Sequence, residues 1–217
     1  MTDVQSTNEI VGEAVITISG LGANGEGVGR LPDGRVVFVD GALPGDSVRV
    51  ALRPFRKKVQ FADLVEVVTA SPDRIRSKCE NAVCGGCALA ALSADGQAQC
   101  KRARVIDTLS RIGGIDVAAL LGPVRTIGDR WRYRHRMRLH ATQLEDRTGF
   151  GFHAKRSHVV VPFSKCAVLD ADLERVVETL VRGLSDLPGE AVARELEISW
   201  SSLDRRAAAR LEVDGDA

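Results

Sequence analysis

The stretch AVITISGLGANGEGVGRLPDGRVVFVDGALPGDSVRVAL, residues 14–52, decides the character of the first part of the chain. Three runs rich in β-branched residues, Ala14–Ser19, Arg35–Asp40 and Asp46–Leu52, alternate with glycine-rich, Pro-Asp-Gly and Leu-Pro-Gly-Asp segments. β-Branched side chains suit a pleated, half-buried surface, whereas Gly, Pro and Asp punctuate turns, so the runs read as strands. A fourth run, Phe61–Val68, continues the pattern, and short strands so spaced predict a small barrel of the OB type between Gly12 and Val68. Inside the stretch, Gly20-Leu21-Gly22-Ala23-Asn24-Gly25 has the G-x-G-x-x-G spacing of a dinucleotide-binding turn, with Asp40 downstream. Such a turn must open a helix, whose N-terminus receives the pyrophosphate. Gly27, Gly29, Pro32 and Gly34 follow at once and exclude one, so these glycines are expected at hairpin positions with positive φ.

Outward from this stretch, the composition is that of a globular protein: 217 residues, 44% hydrophobic, enough for one or two cores. The formal net charge is only +1 despite 30 Lys and Arg, so affinity for nucleic acid must come from the arrangement of the basic residues. The start, MTDVQSTNEI, lacks the basic and apolar regions of a leader, and no apolar run approaches the roughly 20 residues of a bilayer span. These features predict a cytoplasmic protein with no membrane partner.

Ser71-Pro72-Asp73 predicts a break, giving a barrel domain over 1–70 and a second domain over 71–217. In the second, Ala98, Val105, Ile106, Leu109 and Ile112 share a helical face that Gly113-Gly114 terminates. Residues 130–141 alternate with period two and predict a strand, joined across Glu145–Gly149 to renewed β character between Gly149 and Phe163. Leu173, Val176, Val177, Leu180, Val181 and Leu184 repeat at helical spacing, with Asp170 placed to cap. ELEISW and AARLEV, residues 195–200 and 208–213, predict two closing strands. The whole reads as a β-rich α+β chain.

Of the five cysteines, three crowd into Cys79-x4-Cys84-Gly85-Gly86-Cys87, and Cys166 lies far downstream. In a reducing compartment that crowding points to metal ligation rather than disulfides. Three thiolates in one loop supply three corners of a metal centre, and a distant fourth closes it. An iron-sulfur cluster, tetrahedral zinc and no metal all remain open on residue types alone. Gly85 and Gly86 suit a loop wrapped so tightly that it needs unusual φ and has no room for Cβ atoms.

Arg130, Arg132, Arg134, Arg136 and Arg138 alternate with Trp131, Tyr133, His135, Met137 and Leu139. On one strand the arginines would share a face at intervals of about 6.6 Å, with Trp131, Tyr133, Met137 and Leu139 turned into a core. Five adjacent guanidiniums repel unless something anionic shares the face, which points to RNA phosphates. A solvated edge strand is the plainer reading. Arg53, Arg56, Lys57 and Lys58 form a second basic group in the barrel, with Phe55 and Phe61 at hand for base stacking. His135, His140, His153 and His158 are read as packing or phosphate-contacting residues rather than catalytic ones.

The CGGC motif, the helix carrying Gln97 and Lys101 and ending in Arg111-Ile112-Gly113-Gly114, the segments YRHRMRL (133–139) and GFHAKRSHVVVPFSKC (151–166), and an upstream barrel together resemble the bacterial uracil-C5 RNA methyltransferases of the 23S rRNA type. The resemblance runs from Val11 to Cys166. It implies an RNA-binding TRAM barrel over 1–70, then an α+β domain whose Cys79, Cys84, Cys87 and Cys166 hold a [4Fe-4S] cluster. The four-residue spacer after Cys79 departs from the five residues commoner in the family. Cys100 matches no family ligand and is expected as a partly buried free thiol. Methyl transfer in the family belongs to a Rossmann-like domain that binds S-adenosylmethionine and carries a cysteine nucleophile. One helix and two strands after Cys166 are too little for a doubly wound sheet, so that domain is expected to be absent from this chain, with S-adenosylmethionine bound only in a complete protein. No catalytic or donor-binding residue is assigned. RNA is the implied partner, ribosomal first and transfer RNA second, with no DNA and a monomeric state. A non-catalytic RNA-binding module with a structural cluster or zinc is the alternative, and a TRAM-bearing radical enzyme ranks last because CxxxCxxC is missing.

Overall fold

The computed structural model describes residues 9–55, 59–81, 83–144, 147–185 and 192–214. They form two compact units, one of residues up to 76 with 88–126, the other of residues 77–87 with 127 onward. The division differs from a break at Pro72. Residues 71–76 and the first helix group with the barrel, while the cysteine loop groups with the second sheet.

In the first unit, β1 (Gly12–Leu21), β2 (Gly27–Arg30), β3 (Val36–Val39), β4 (Ser47–Leu52) and β5 (Gln60–Thr69) close a barrel in the order β1-β2-β3-β5-β4. The pairing of β3 with β5 is parallel, Val37 opposite Gln60 and Val39 opposite Ala62, and all others are antiparallel. Alternation sends Ile16, Ile18, Val37, Val39, Val48 and Val50 inward, where all are buried, while Val15 on the opposite face is exposed. Each such side chain contributes about 1.5–3 kcal/mol on burial.

β2 is a strand that the glycine-rich text concealed. Of Gly20, Gly22 and Gly25 only Gly25 has a positive φ, 87°. Gly27 and Gly29 are strand residues that let neighbours come close: a Cβ on Gly27 would lie 2.6 Å from the Ala42 carbonyl oxygen, and one on Gly29 2.9 Å from that of Thr17. Their role is close approach, not hairpin geometry, and no helix follows Gly25.

The buried carboxylate of Asp46 ties this unit together. It accepts from the Leu43 N–H (2.6 Å), the Ser71 N–H (2.8 Å) and the Arg74 guanidinium (2.6 Å). Burial pushes its pKa upward, but the Arg74 hydrogen bond and those two N–H groups outweigh burial and hold it below the ordinary range. Helix α1 (Ala94–Gly113) starts where Ser93 Oγ accepts from the Gly96 N–H and ends at Gly114 in the left-handed conformation.

In the second unit, β6 (Arg136–Leu144), β7 (Arg147–His153), β8 (Val160–Pro162), β9 (Val192–Ser201) and β10 (Arg206–Asp214) form an antiparallel sheet ordered β10-β9-β6-β7-β8. Glu145 and Asp146 of the expected turn lie outside the described residues, and Arg147–Gly149 are already strand. Helix α2 (Ala171–Ser185) is capped by Asp170, whose Oδ1 accepts from Asp172 N–H (2.9 Å) and Leu173 N–H (3.2 Å). Leu173 and Val177 are buried in one core with Met137, Leu139, Phe150, Leu169, Leu196 and Ile198.

Candidate cysteine centre and RNA-facing segment

All four predicted ligand positions fall in the second unit, where the loop docks on the end of β7. Cys84 bridges to Ala154, Gly85 N–H donates to the His153 carbonyl (3.2 Å), and Lys155 N–H donates to that of Val83 (3.3 Å). Gly85 suits this docking, since a Cβ there would sit 3.3 Å from the His153 oxygen and the Lys155 Cα, closer than side chains usually come. Neither Gly85 nor Gly86 has a positive φ, so of the two reasons expected for the glycine pair only the lack of room for a Cβ holds, and at Gly85 alone. Cys166 lies at the entry to α2, where its N–H donates to Glu174 Oε1 (2.7 Å) and its carbonyl accepts from the Leu169 N–H (3.0 Å).

The thiols lie near enough to act on one another. Burial, then the neighbouring Cys166, pushes the Cys87 thiol up, and the Arg134 guanidinium opposes the shift. Burial likewise raises Cys166, against the Val168 and Leu169 N–H groups and Arg134. Among the described residues, no three His, Cys, Asp or Glu side chains converge closely enough to hold a metal ion, and all five cysteines are half-buried free thiols. Cys100 lies in the other unit, where burial and then Asp73 raise its thiol.

The arginine segment departs from a single strand. β6 begins only at Arg136, and Arg132 adopts a left-handed φ of 58°. The alternation breaks there: Trp131, Met137 and Leu139 are buried as expected, but Tyr133 is 53% exposed and does not anchor the core. Nor do the five guanidiniums share a face. That of Arg130 lies 5.0 Å from the centre of the Trp131 ring, Arg132 pairs with Glu174, and Arg134 acts on the cysteines. Arg136 pairs with Glu197, and Arg138 with Glu195 (3.0 Å) and Glu197 (3.6 Å). The anion demanded by the arginine row is thus supplied by β9, where Glu195 and Glu197 alternate with buried Leu196 and Ile198. That period-two acidic row, and Glu174 four residues after the capping Asp170, were the signals in the sequence for these partners.

His140 and His153 stack at 3.9 Å between ring centres, and His158 meets His153 edge-on at 5.9 Å. Burial and then His153 lower the His140 pKa, against Glu195. These three rings therefore pack on one another. In the barrel, Arg53 is engaged by Asp63 (2.8 Å), Phe55 is exposed, and Arg56, Lys57 and Lys58 lie outside the described residues.

Residues 11–65 match the TRAM domain family, so the barrel makes this a TRAM-domain protein. A 23S rRNA (uracil(1939)-C(5))-methyltransferase RlmD of Methylococcus capsulatus is 39% identical over 75% of this chain and 37% of its own length. The enzyme of the same name from a Shewanella species is 34% identical over 89% of this chain and 43% of its own. The chain is similar to these uracil-C5 RNA methyltransferases over 75–89% of its own length, and it spans about two fifths of the length of the curated relatives it matches. Its fold is also that of a Pyrococcus abyssi tRNA (uracil-54, C5)-methyltransferase solved with S-adenosyl-L-homocysteine, with a TM-score of 0.60 at 22% identity over 94% of this chain and 46% of the other.

Proposed function

We propose that this chain is the RNA-binding portion of a 23S rRNA (uracil-C5)-methyltransferase. The observation that carries the reading is the similarity to relatives of that name over 75–89% of the chain, including the TRAM barrel, both basic segments and the cysteine loop. Methyl transfer then falls to parts of the relatives outside the matched segment, and residues here bind and orient RNA. The RNA-contacting groups in this reading are Arg53, Arg56, Lys57 and Lys58 of the barrel and Arg130, Arg132, Arg134, Arg136 and Arg138. The side chains of Arg136 and Arg138 are 67% and 54% exposed. Glu195 and Glu197 are only 17% and 16% exposed, so phosphates would approach these guanidiniums from the solvent side, alongside the glutamates. Fluorescence polarisation with a 23S rRNA fragment across a salt series tests this, with binding that weakens steeply as salt rises expected. No binding at low salt overturns the reading.

Cys79, Cys84, Cys87 and Cys166 would hold a [4Fe-4S] cluster in this proposal. In its favour is the gathering of these four thiols, but not Cys100, in one unit. When bound, the cluster supplies a four-thiolate tie between the 79–87 loop and the entry to α2. Arg134 and the Val168 and Leu169 N–H groups would offset the negative charge of the thiolates.

A further inference from the structure

We infer that Tyr133 is held outward as a stacking platform for an unpaired RNA base, an inference that rests on the RNA-binding reading above. A continued alternation would bury this ring beside Trp131 and Met137, yet it is 53% exposed, and it is the single tyrosine of the chain. What turns it out is the left-handed φ of Arg132, a conformation uncommon for a residue with a long side chain, and one that persists only where its surroundings enforce it.

The enforcement is visible on both sides of the ring. Arg132 N–H donates to the Ala167 carbonyl (3.1 Å), and the Arg132 guanidinium to that of Leu169 (3.3 Å) and to Glu174. Arg134 N–H donates to the Val168 carbonyl (2.8 Å), and the Arg134 carbonyl accepts from Asp170 N–H (3.0 Å). The backbone is therefore clamped before and after Tyr133, and the flanking guanidiniums are drawn to Glu174 and toward the cysteines. A rigidly mounted aromatic ring stacks a base without first having to be ordered, and splayed bases on aromatic rings are the commonest mode of single-stranded RNA recognition. RNA fits better than an apolar protein surface because the exposed guanidiniums of Arg136 and Arg138 follow within the same segment, ready for the adjoining phosphates.

The test uses the whole chain with two labelled probes of equal length, a mixed-sequence single-stranded RNA and an abasic ribose-phosphate oligomer. The wild type should bind the base-bearing probe more tightly. Tyr133→Leu should weaken that binding about tenfold or more and leave the abasic probe unaffected, while Tyr133→Phe retains it. Thermal melting should be alike for all three, since the ring is exposed. Equal affinities of wild type and Tyr133→Leu for the base-bearing probe, or of the wild type for both probes, overturn the inference and leave RNA binding standing, with a protein partner as the reading of the ring. A wild type that binds neither probe overturns both.

Discussion

Tyr133 and Leu139 belong to the same odd-numbered series, three turns of the alternation apart, yet the fold treats them oppositely. Leu139 is fully buried against Leu173 and Leu196, whereas Tyr133 faces out. Leu139→Ala should cost about 2–5 kcal/mol, the range for truncation in a core. Tyr133→Ala should stay within about 0.5 kcal/mol, as surface changes do. Urea denaturation of the two variants reads both values, and a loss at Tyr133 as large as that at Leu139 would show the ring to be a core anchor after all.

At the scale of elements, two ion-pair systems behave differently because their burial differs. Asp46 links the β3–β4 turn to the segment after β5, and it is fully buried. Asp46→Asn leaves Arg74 without its carboxylate and should cost about 3 kcal/mol at pH 7. The folded-state pKa of Asp46 is depressed, so its stabilisation is fully present above the unfolded value of about 3.9 and is lost as pH falls through the lower folded value. Urea melts at pH 7 and pH 3 should therefore show the gap between wild type and Asp46→Asn shrinking in acid, and a gap constant with pH would refute the assignment. In the β6–β9 pairs the arginine ends are exposed, and the RNA-binding proposal makes them determinants of affinity. Changing Arg136 and Arg138 together to Gln should flatten the salt dependence of RNA binding, by about 0.7 in the slope for each phosphate that is no longer neutralised. Changing Glu195 and Glu197 to Gln should release both arginines and tighten binding. Identical salt slopes in both double variants would mean that the ladder serves only the sheet.

For the molecule as a whole, the sharpest test concerns metal. Protein prepared without oxygen is expected to be brown, with about four irons per chain bound by four thiolates. Cys84→Ser or Cys87→Ser should remove the colour and Cys100→Ser should keep it; one zinc per chain in place of iron would end the cluster proposal. Calorimetry with S-adenosylmethionine is expected to show no binding by this chain, because Gly20–Gly25 lead into β2 rather than into a helix N-terminus that could receive a nucleotide. Micromolar binding would place a donor site in residues that carry no such motif.

By itself the sequence determined what depends on neighbours a few residues away. β-Branched runs between turn signals marked β1, β3, β4 and β5, period two marked β6, short apolar runs marked β9 and β10, helical spacing marked α1 and α2, and Asp170 and Gly114 were readable as ends because capping is a local hydrogen-bonding need. The cysteine spacing was equally legible as a set of thiols. The tertiary structure decided what depends on partners far along the chain. β2 was hidden because Gly27 and Gly29 have no side chains to show a period, and their need for glycine comes from Ala42 and Thr17 across the barrel. The fate of the arginines followed from strand order: β9 pairs with β6 and brings Glu195 and Glu197 opposite Arg136 and Arg138, a juxtaposition that nothing within residues 130–138 encodes. Tyr133 turned outward for the same reason, since carbonyls at Ala167 and Val168 hold the backbone beside it, and that of Leu169 the Arg132 guanidinium, in a conformation that local alternation would never choose.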